Sequence, residues 1–187
     1  VEGRILTHQD HIDIGGKIMA LVEANSFPVE LDGNLDSVAY SDFGGGLTGS
    51  FTAHPHQCPD TGEYHAICYD GPSQDTIRHV TMDRSGRVLS ETEIAVRHGP
   101  SIHDCALTRN FVVILDLPVT FSMQALIAGH KFPYRWNRSH RARVGLLPRG
   151  GSNEDVVWHE VDPCYVFHVG NSFEDETGRV IIDVCPY

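Results

Sequence analysis

The sequence predicts an all-β chain built from antiparallel hairpins. Its apolar residues come in short runs bounded by turn residues, and almost nowhere with the 3.6-residue period of a helix. The connecting turns at 59–62, 83–86 and 175–178 place Asp or Pro early and Gly late, which is the composition of tight turns. Stacked hairpins of this kind build β-sandwiches or the blades of β-propellers.

Taken in order along the chain, eight runs are predicted as strands and one as a helix. The predicted strands are 16–23, 64–69, 76–83, 87–96, 111–117, 156–161, 165–168 and 179–184. The helix is 122–128, with Ser122 as its N-cap and Gly129 at its end. The segment 132–151, which mixes prolines with basic residues, is predicted to be an irregular connection. Since no change of composition divides the chain, residues 1–187 are predicted to form a single unit or part of one.

The charge and the cysteines limit the functions to consider. The formal net charge of −11 argues against binding to nucleic acids and to anionic membranes. The five cysteines are an odd number without a Cys-x-x-Cys pair, so we expect a reduced chain, located in the cytoplasm, without a disulfide framework or a zinc ribbon. The first residue is Val rather than Met, from which we expect a processed or incomplete chain.

Three of the 12 histidines occupy settings that are compatible with a shared metal ion. His54, His103 and His168 each lie at a predicted strand end or strand–turn junction. In a radial β architecture such positions converge on one axis, where neutral imidazoles can bind one ion. Taken alone, each histidine fits a hydrogen-bonded structural role better than metal binding, so the spacing by itself favours the structural interpretation.

The sequence around these histidines resembles the carotenoid cleavage oxygenase family. The matching motifs are Phe-Thr-Ala-His-Pro-His at 51–56, Ser-Ile-His-Asp-Cys-Ala-Leu-Thr at 101–108 and Tyr-Val-Phe-His-Val-Gly-Asn-Ser-Phe-Glu-Asp at 165–175. The resemblance extends from segment 21–32 to the last residues, 180–187. That family includes carotenoid and apocarotenoid oxygenases, lignostilbene dioxygenases and the retinal isomerohydrolase.

The resemblance implies a seven-bladed β-propeller with a non-haem Fe(II) on its axis, held by four histidines and supported by three outer glutamates. By motif, His54, His103 and His168 match the first three ligands and Glu23 matches the first glutamate. The fourth histidine and the other glutamates lie, in the family, beyond the end of this chain. We therefore expect an interior fragment of about three to four blades of antiparallel sheet.

The same resemblance implies oxidative cleavage of a conjugated double bond by O2, giving two carbonyl products. An apolar substrate needs an apolar tunnel, which Phe121, Phe132 and Trp136 are predicted to line, although each is equally suited to packing in the core or a loop. Other expected contacts are with O2 and with a membrane, the latter through segments outside this chain. No nucleic acid is expected.

Among substrates of this family, carotenoids and apocarotenoids are favoured over stilbenes. Stilbene-cleaving members carry a lysine directly before the first glutamate, whereas this chain has Val22 there. Two other functions stay open from the residues alone. One is a cupin-like metalloenzyme using His54-x-His56 and Asp60, and the other is a propeller segment without catalysis, in which the histidines are structural. The isolated chain is expected to be inactive.

Overall fold

The chain forms a succession of antiparallel β-sheets, as described by a computed structural model of residues 9–24 and 26–187. Three sheets have four strands each, and two further sheets are two-stranded. The prediction of an all-β chain is therefore confirmed. Of the single unit predicted over 1–187, residues 1–8 and 25 lie outside the described residues. Within the described residues, every helix is too short or too polar to cross a lipid bilayer.

The first sheet follows the chain order, and each strand pairs with the next. Its strands are β1 (Gln9–Ile14), β2 (Lys17–Val22), β3 (Val29–Leu31) and β4 (Ser37–Tyr40). Between β1 and β2, Gly15 has a positive φ of 63°, and a Cβ there would collide with the carbonyl oxygen of Ser85. Only glycine allows this turn to touch the following sheet. The hydrophobic pattern predicts β2 but not the other three strands.

The second sheet also follows the chain order and contains three correctly predicted strands. Its strands are β5 (His56–Gln57), β6 (Tyr64–Cys68), β7 (Thr76–Met82) and β8 (Val88–Ala95). In the turn after β7, the Asp83 carboxylate accepts hydrogen bonds from the N–H groups of Ser85 (2.9 Å) and Arg87 (3.1 Å). Gly86 supplies the left-handed residue with φ of 81°. The tight turn predicted at 83–86 is confirmed.

The third sheet is interrupted by an excursion of the chain. The sheet begins with β9 (Ala106–Leu107) and β10 (Phe111–Asp116). The excursion then contains β11 (Val119–Phe121), α1 (Met123–Ile127) and β12 (Tyr134–Trp136), with β11 paired to β12. The Ser122 hydroxyl accepts a hydrogen bond from the Ala125 N–H (3.2 Å), and Gly129 follows with φ of 81°. The predicted helix and its N-cap are confirmed.

The strands β13 (Arg143–Pro148) and β14 (Val157–Glu160) complete the third sheet, whose order is β14-β13-β10-β9. The prediction of an irregular connection over 132–151 is therefore wrong, because this segment contains β12 and β13. Basic residues and prolines hide the alternation in β13. There Gly145 and Leu147 are buried, whereas the Arg143 guanidinium lies 3.8 Å from the centre of the Trp158 ring. The strand predicted at 156–161 is confirmed as β14.

The last two strands form a hairpin, β15 (Val169–Glu174) and β16 (Val180–Val184), joined by the turn predicted at 175–178. The strand predicted at 179–184 is confirmed as β16. The strand predicted at 165–168 is wrong, because β15 begins only at Val169. Tyr165 instead exchanges backbone hydrogen bonds with Tyr187 (3.0 and 2.9 Å), and its side chain is buried next to that of Val166. Tyr165 and Val166 are apolar because they fill the core, not because they lie in a sheet, whereas Phe167 is 40% exposed.

Three apolar clusters fill the spaces between successive sheets. The first cluster packs the first sheet against the second, another packs the second against the third, and the last packs the third sheet against the final hairpin. Large, fully buried members include Leu21, Phe51, Ile77, Ile114 and Leu147. The sheets therefore stack face to face in chain order, as propeller blades do.

The five cysteines are all free thiols. Cys58, Cys68 and Cys105 are buried, and burial raises the pKa of the Cys68 thiol to about 12. The Cys68 thiol therefore stays protonated and unreactive. The structure agrees with the expectation of a chain without disulfides.

His65 and His79 form a buried pair on neighbouring strands β6 and β7. Nδ1 of His65 lies 3.1 Å from Nε2 of His79, and the residues are 3% and 2% exposed. Burial lowers the pKa of each imidazole to about 4, with additional contributions from the charge of Arg149 at His65 and of His65 at His79. Both rings are therefore neutral in the folded protein above about pH 4, whereas an unfolded histidine takes up a proton below about pH 6.5.

We expect the free energy of unfolding to fall when the pH is lowered from 7.5 to 5. The stability contributed by such a buried neutral histidine is complete above about pH 6.5 and is lost as the pH falls toward the folded pKa of about 4. For His79 the loss at pH 5 is about 1–2 kcal/mol. Urea denaturation of the wild-type chain and of His79→Gln at both pH values measures it. The variant should lose less stability on acidification, and an equal pH dependence would contradict the prediction.

Candidate metal centre

The three histidines singled out by the sequence each lie just before the strand that opens a sheet. His54 comes two residues before β5, His103 comes three residues before β9, and His168 directly precedes β15. Because β5, β9 and β15 open three successive stacked sheets, the three histidines approach one another from neighbouring blades. The structure thus brings together side chains that are 49 and 65 residues apart in the sequence.

The three imidazoles bring their Nε2 atoms close together. The Nε2 atom of His103 lies 3.0 Å from that of His54 and 3.2 Å from that of His168. The ligand atoms of all three residues lie within 4.8 Å of one another. Two nitrogens bound to one ion at about 2.1 Å and at right angles are about 3 Å apart, so these separations fit a shared metal ion. Across residues 9–24 and 26–187, no further His, Cys, Asp or Glu belongs to this group.

Glu23 sets the protonation of the His103 ring. Its Oε2 atom lies 2.5 Å from Nδ1 of His103, and both side chains are buried. Burial raises the pKa of Glu23, but the hydrogen bonds from His103 and Tyr69 outweigh it and hold the pKa below its ordinary value. Glu23 is therefore a carboxylate that accepts the Nδ1–H of His103. This leaves the Nε2 lone pair of His103 facing the other two imidazoles.

A sharp change of backbone direction follows Glu23. The strand β2 ends at Val22, which is buried, and Ala24 adopts the left-handed conformation with φ of 53°. Residues with a side chain rarely take this conformation, so surrounding contacts must hold it. The bond from Glu23 to His103, which lies 80 residues further along the chain, is one such contact.

Three hydroxyl groups behind Glu23 were not predicted from the sequence. The Tyr69 hydroxyl donates to Oε1 of Glu23 and also lies 3.0 Å from Oγ of Ser101, which in turn lies 3.1 Å from the Tyr165 hydroxyl. Burial, and then the charge of Glu23, raise the pKa of Tyr69 well above its ordinary value, so Tyr69 stays a donor. The sequence offered only a general signal for these contacts, which is that a buried tyrosine hydroxyl usually needs a hydrogen-bond partner.

His56 shares a motif with His54 but does not join the three imidazoles. Its Nε2 atom lies 2.7 Å from Oδ1 of Asp104. Together with Cys105 these two residues form a second group of possible ligands. Burial raises the pKa of Cys105, so it remains a thiol rather than a thiolate ligand. We assign no metal ion to this second group, and a cupin-like site, which needs His54 and His56 on one ion, does not fit the arrangement.

The three aromatic residues predicted to line a tunnel lie on the excursion between β10 and β13. The rings of Phe121 and Phe132 lie 5.8 and 4.8 Å from the ring of Tyr134. Phe132 and Trp136 are about half exposed, at 51% and 48%. Their role in a tunnel stays a prediction.

A cavity adjoins the cluster at His168. Its volume is about 390 Å³, and its lining includes Phe167, Val184 and Tyr187. These three side chains lie at the end of the chain around the β15–β16 hairpin, and the sequence analysis did not single them out. An apolar ligand needs apolar side chains around it, and this cavity places such side chains beside one candidate metal ligand, His168.

Comparison with known proteins finds relatives along nearly the whole chain. A family model described as retinal pigment epithelial membrane protein matches residues 7–187. A carotenoid cleavage oxygenase from Mycobacterium tuberculosis is 36% identical over 224 residues, covering 98% of this chain and 44% of the relative. A carotenoid 9,10(9',10')-cleavage dioxygenase 1 from Arabidopsis thaliana is 33% identical over 172 residues, covering 89% of this chain and 32% of the relative. The chain thus spans less than half the length of these relatives.

The fold is also that of a known larger structure. A lignostilbene dioxygenase from Pseudomonas brassicacearum matches with a TM-score of 0.85 at 24% identity, covering 98% of this chain and 39% of that chain. At this identity the match establishes the fold alone. It confirms the prediction that the stacked sheets are part of a β-propeller.

We expect the chain to bind Co²⁺ through the three imidazoles. Replacing His54, His103 or His168 by Ala removes one nitrogen ligand and should weaken binding by more than about 100-fold, because even outer partners of such ligands contribute about 10–100-fold. A titration followed by the visible absorption of Co²⁺ measures the affinity. His159→Ala, which changes an exposed histidine on β14, is the matched control. Equal affinity in all four variants would contradict the assignment.

Proposed function

Because the chain belongs to the carotenoid cleavage oxygenase family, we propose that it is part of a non-haem Fe(II)-dependent dioxygenase. The proposed reaction is oxidative cleavage of a conjugated carbon–carbon double bond of a carotenoid or apocarotenoid. The observation that carries the proposal is the meeting of three Nε2 atoms, with a carboxylate hydrogen-bonded to the far side of one ring. His54, His103 and His168 are the proposed ligands, and Glu23 is the proposed outer carboxylate.

The residues present suit a divalent iron. Imidazole nitrogens bind Fe, Zn and Cu, so the choice of Fe(II) rests on the family. Three neutral imidazoles leave the charge of such an ion uncompensated, and Glu23 supplies negative charge through the His103 ring at 2.5 Å. When bound, Fe(II) supplies a site for O2 and the redox chemistry by which the two oxygen atoms of O2 end in two carbonyl groups where the double bond was.

The side chains of this chain orient and shield that site. Glu23 keeps the proton of His103 on Nδ1, and Tyr69 holds Glu23 in place by donating to its other oxygen. His103 is 5% exposed, so water has little access to this side of the centre. The cavity beside His168 offers apolar surface to a polyene, which has few polar groups to recognise.

A carotenoid-type substrate is favoured by the residue that precedes Glu23. Val22 is buried and offers no positive charge for a phenolate, which the stilbene-cleaving members hold with a lysine at this place. The relatives from Mycobacterium tuberculosis and Arabidopsis thaliana are both named for carotenoid cleavage. We therefore propose an apolar conjugated substrate together with O2.

Cleavage assays on the full-length protein that contains this chain test the substrate. We expect consumption of O2 and formation of two carbonyl products from an apocarotenal, and no cleavage of a hydroxystilbene, because Val22 cannot pair with a phenolate. Removing iron with a chelator should abolish turnover, and adding Fe(II) back should restore it. Cleavage of the stilbene alone would contradict the proposed substrate class.

The isolated 187-residue chain is a second test. Since the family binds iron with four histidines and the described residues bring three together, we expect the isolated chain to bind metal but not to cleave substrate. Product analysis after incubation with Fe(II), O2 and an apocarotenal measures this. Iron-dependent turnover by the isolated chain would refute the expectation.

A further inference from the structure

One carboxylate joins the three segments that carry the histidines. Oδ1 of Asp104 accepts a hydrogen bond from Nε2 of His56 and one from the Cys105 N–H, both at 2.7 Å. Oδ2 of Asp104 accepts a hydrogen bond from the Val169 N–H at 2.9 Å. Asp104 is 6% exposed, so these are hydrogen bonds of a buried anion, which are stronger than those between neutral groups.

Each partner of Asp104 lies next to one of the proposed ligands along the chain. Asp104 itself follows His103, His56 comes two residues after His54, and Val169 follows His168. His56 and Val169 are also the first residues of β5 and β15. The carboxylate therefore links the starts of strands in three stacked sheets at the level of the proposed metal centre.

We propose that Asp104 is a positioning residue of the metal centre. By holding His56 and Val169 at fixed distances from its own backbone, it sets how far His54 and His168 lie from His103. The inference rests on the proposed function, because it assumes that the three imidazoles share one ion. His56 acts through Asp104 and is not itself a ligand.

A second histidine–aspartate pair provides a matched control. Nε2 of His140 lies 2.8 Å from Oδ1 of Asp116, and both residues are buried. Asp116 also accepts a hydrogen bond from Nε of Arg143 at 2.6 Å. This pair also joins a histidine to a buried aspartate, but the His140 side chain is only 3% exposed, against 35% for that of His56. Its further contacts are with Arg143 on the third sheet and with His98, not with Val169 or the His54 segment. Because the control pair is the more deeply buried of the two, a purely structural loss should be at least as large there as at His56.

The test is a Co²⁺ titration of the iron-free full-length protein that contains this chain, followed by visible absorption. His56→Ala should weaken Co²⁺ binding by about 10-fold and alter the Co²⁺ spectrum, since the His54 segment loses its tie. His56→Gln should restore both, because its amide N–H can reach Asp104 in place of the ring N–H while an amide does not replace an imidazole ligand. Asp104→Asn, which exchanges one acceptor oxygen for a donor, should weaken binding by about 10-fold or more.

The control variants are His140→Ala and His140→Gln, with stability measured by thermal unfolding for every variant. They should leave the Co²⁺ affinity and spectrum unchanged even where stability falls. If Asp104→Asn does not fold, the variants at His56, whose side chain is 35% exposed, decide the question.

Any other result would overturn either the positioning role alone or the positioning role together with the proposed metal centre. Normal affinity and spectrum in His56→Ala, or an equal loss in His140→Ala, would overturn the positioning role and leave the metal centre intact. A loss that His56→Gln does not restore would make His56 a ligand and also overturn it. A wild-type protein without saturable Co²⁺ binding would overturn the proposed metal centre and the positioning role with it.

Discussion

The hydrogen bond between Glu23 and His103 is the interaction on which the centre depends. It spans from the end of β2 in the first sheet to the segment before β9 in the third, and it is buried at both ends. A buried carboxylate needs a charged or hydrogen-bonding partner, and an imidazole can be a ligand only on the nitrogen that carries no proton. One bond meets both needs, and it also explains why Tyr69 must remain a donor behind Glu23.

The packing of the sheets brings the imidazoles together. Each proposed ligand comes just before a strand that opens a sheet, and the apolar clusters stack those sheets in chain order. Stacking alone allows small shifts between neighbouring sheets, because apolar contacts have no preferred direction. Hydrogen bonds do have a preferred direction, so the carboxylates of Glu23 and Asp104 supply the registration between sheets that apolar packing lacks. A centre held in this way combines a nonspecific core with a few directed bonds.

Strands with a continuous apolar pattern were predictable from the sequence. Strands of only two residues were not, and neither were the six-residue strands β1, β13 and β15, in which polar residues, glycine or proline break that pattern. The strands β6, β7, β8 and β10 are five to eight residues long and carry most of the apolar pattern. By contrast β5 and β9 have two residues each, so only pairing with a longer neighbour defines them. The segment 165–168 failed for the opposite reason. Its side chains Tyr165 and Val166 fill the core without lying in a sheet, and periodicity cannot distinguish a short buried loop from a short buried strand.

The sequence by itself determined the all-β class and the helix with its cap, because each rests on a local run of residue types. The three histidines and Glu23 were singled out as candidates only by the motifs that resemble the family. Only the tertiary structure decided which groups meet. Tyr69 reaches Glu23 across 46 residues, His56 reaches Asp104 across 48, and Asp104 reaches Val169 across 65. A hydrogen bond between residues so far apart leaves no periodic trace in the chain. It exists because stacked sheets place the starts of distant strands side by side.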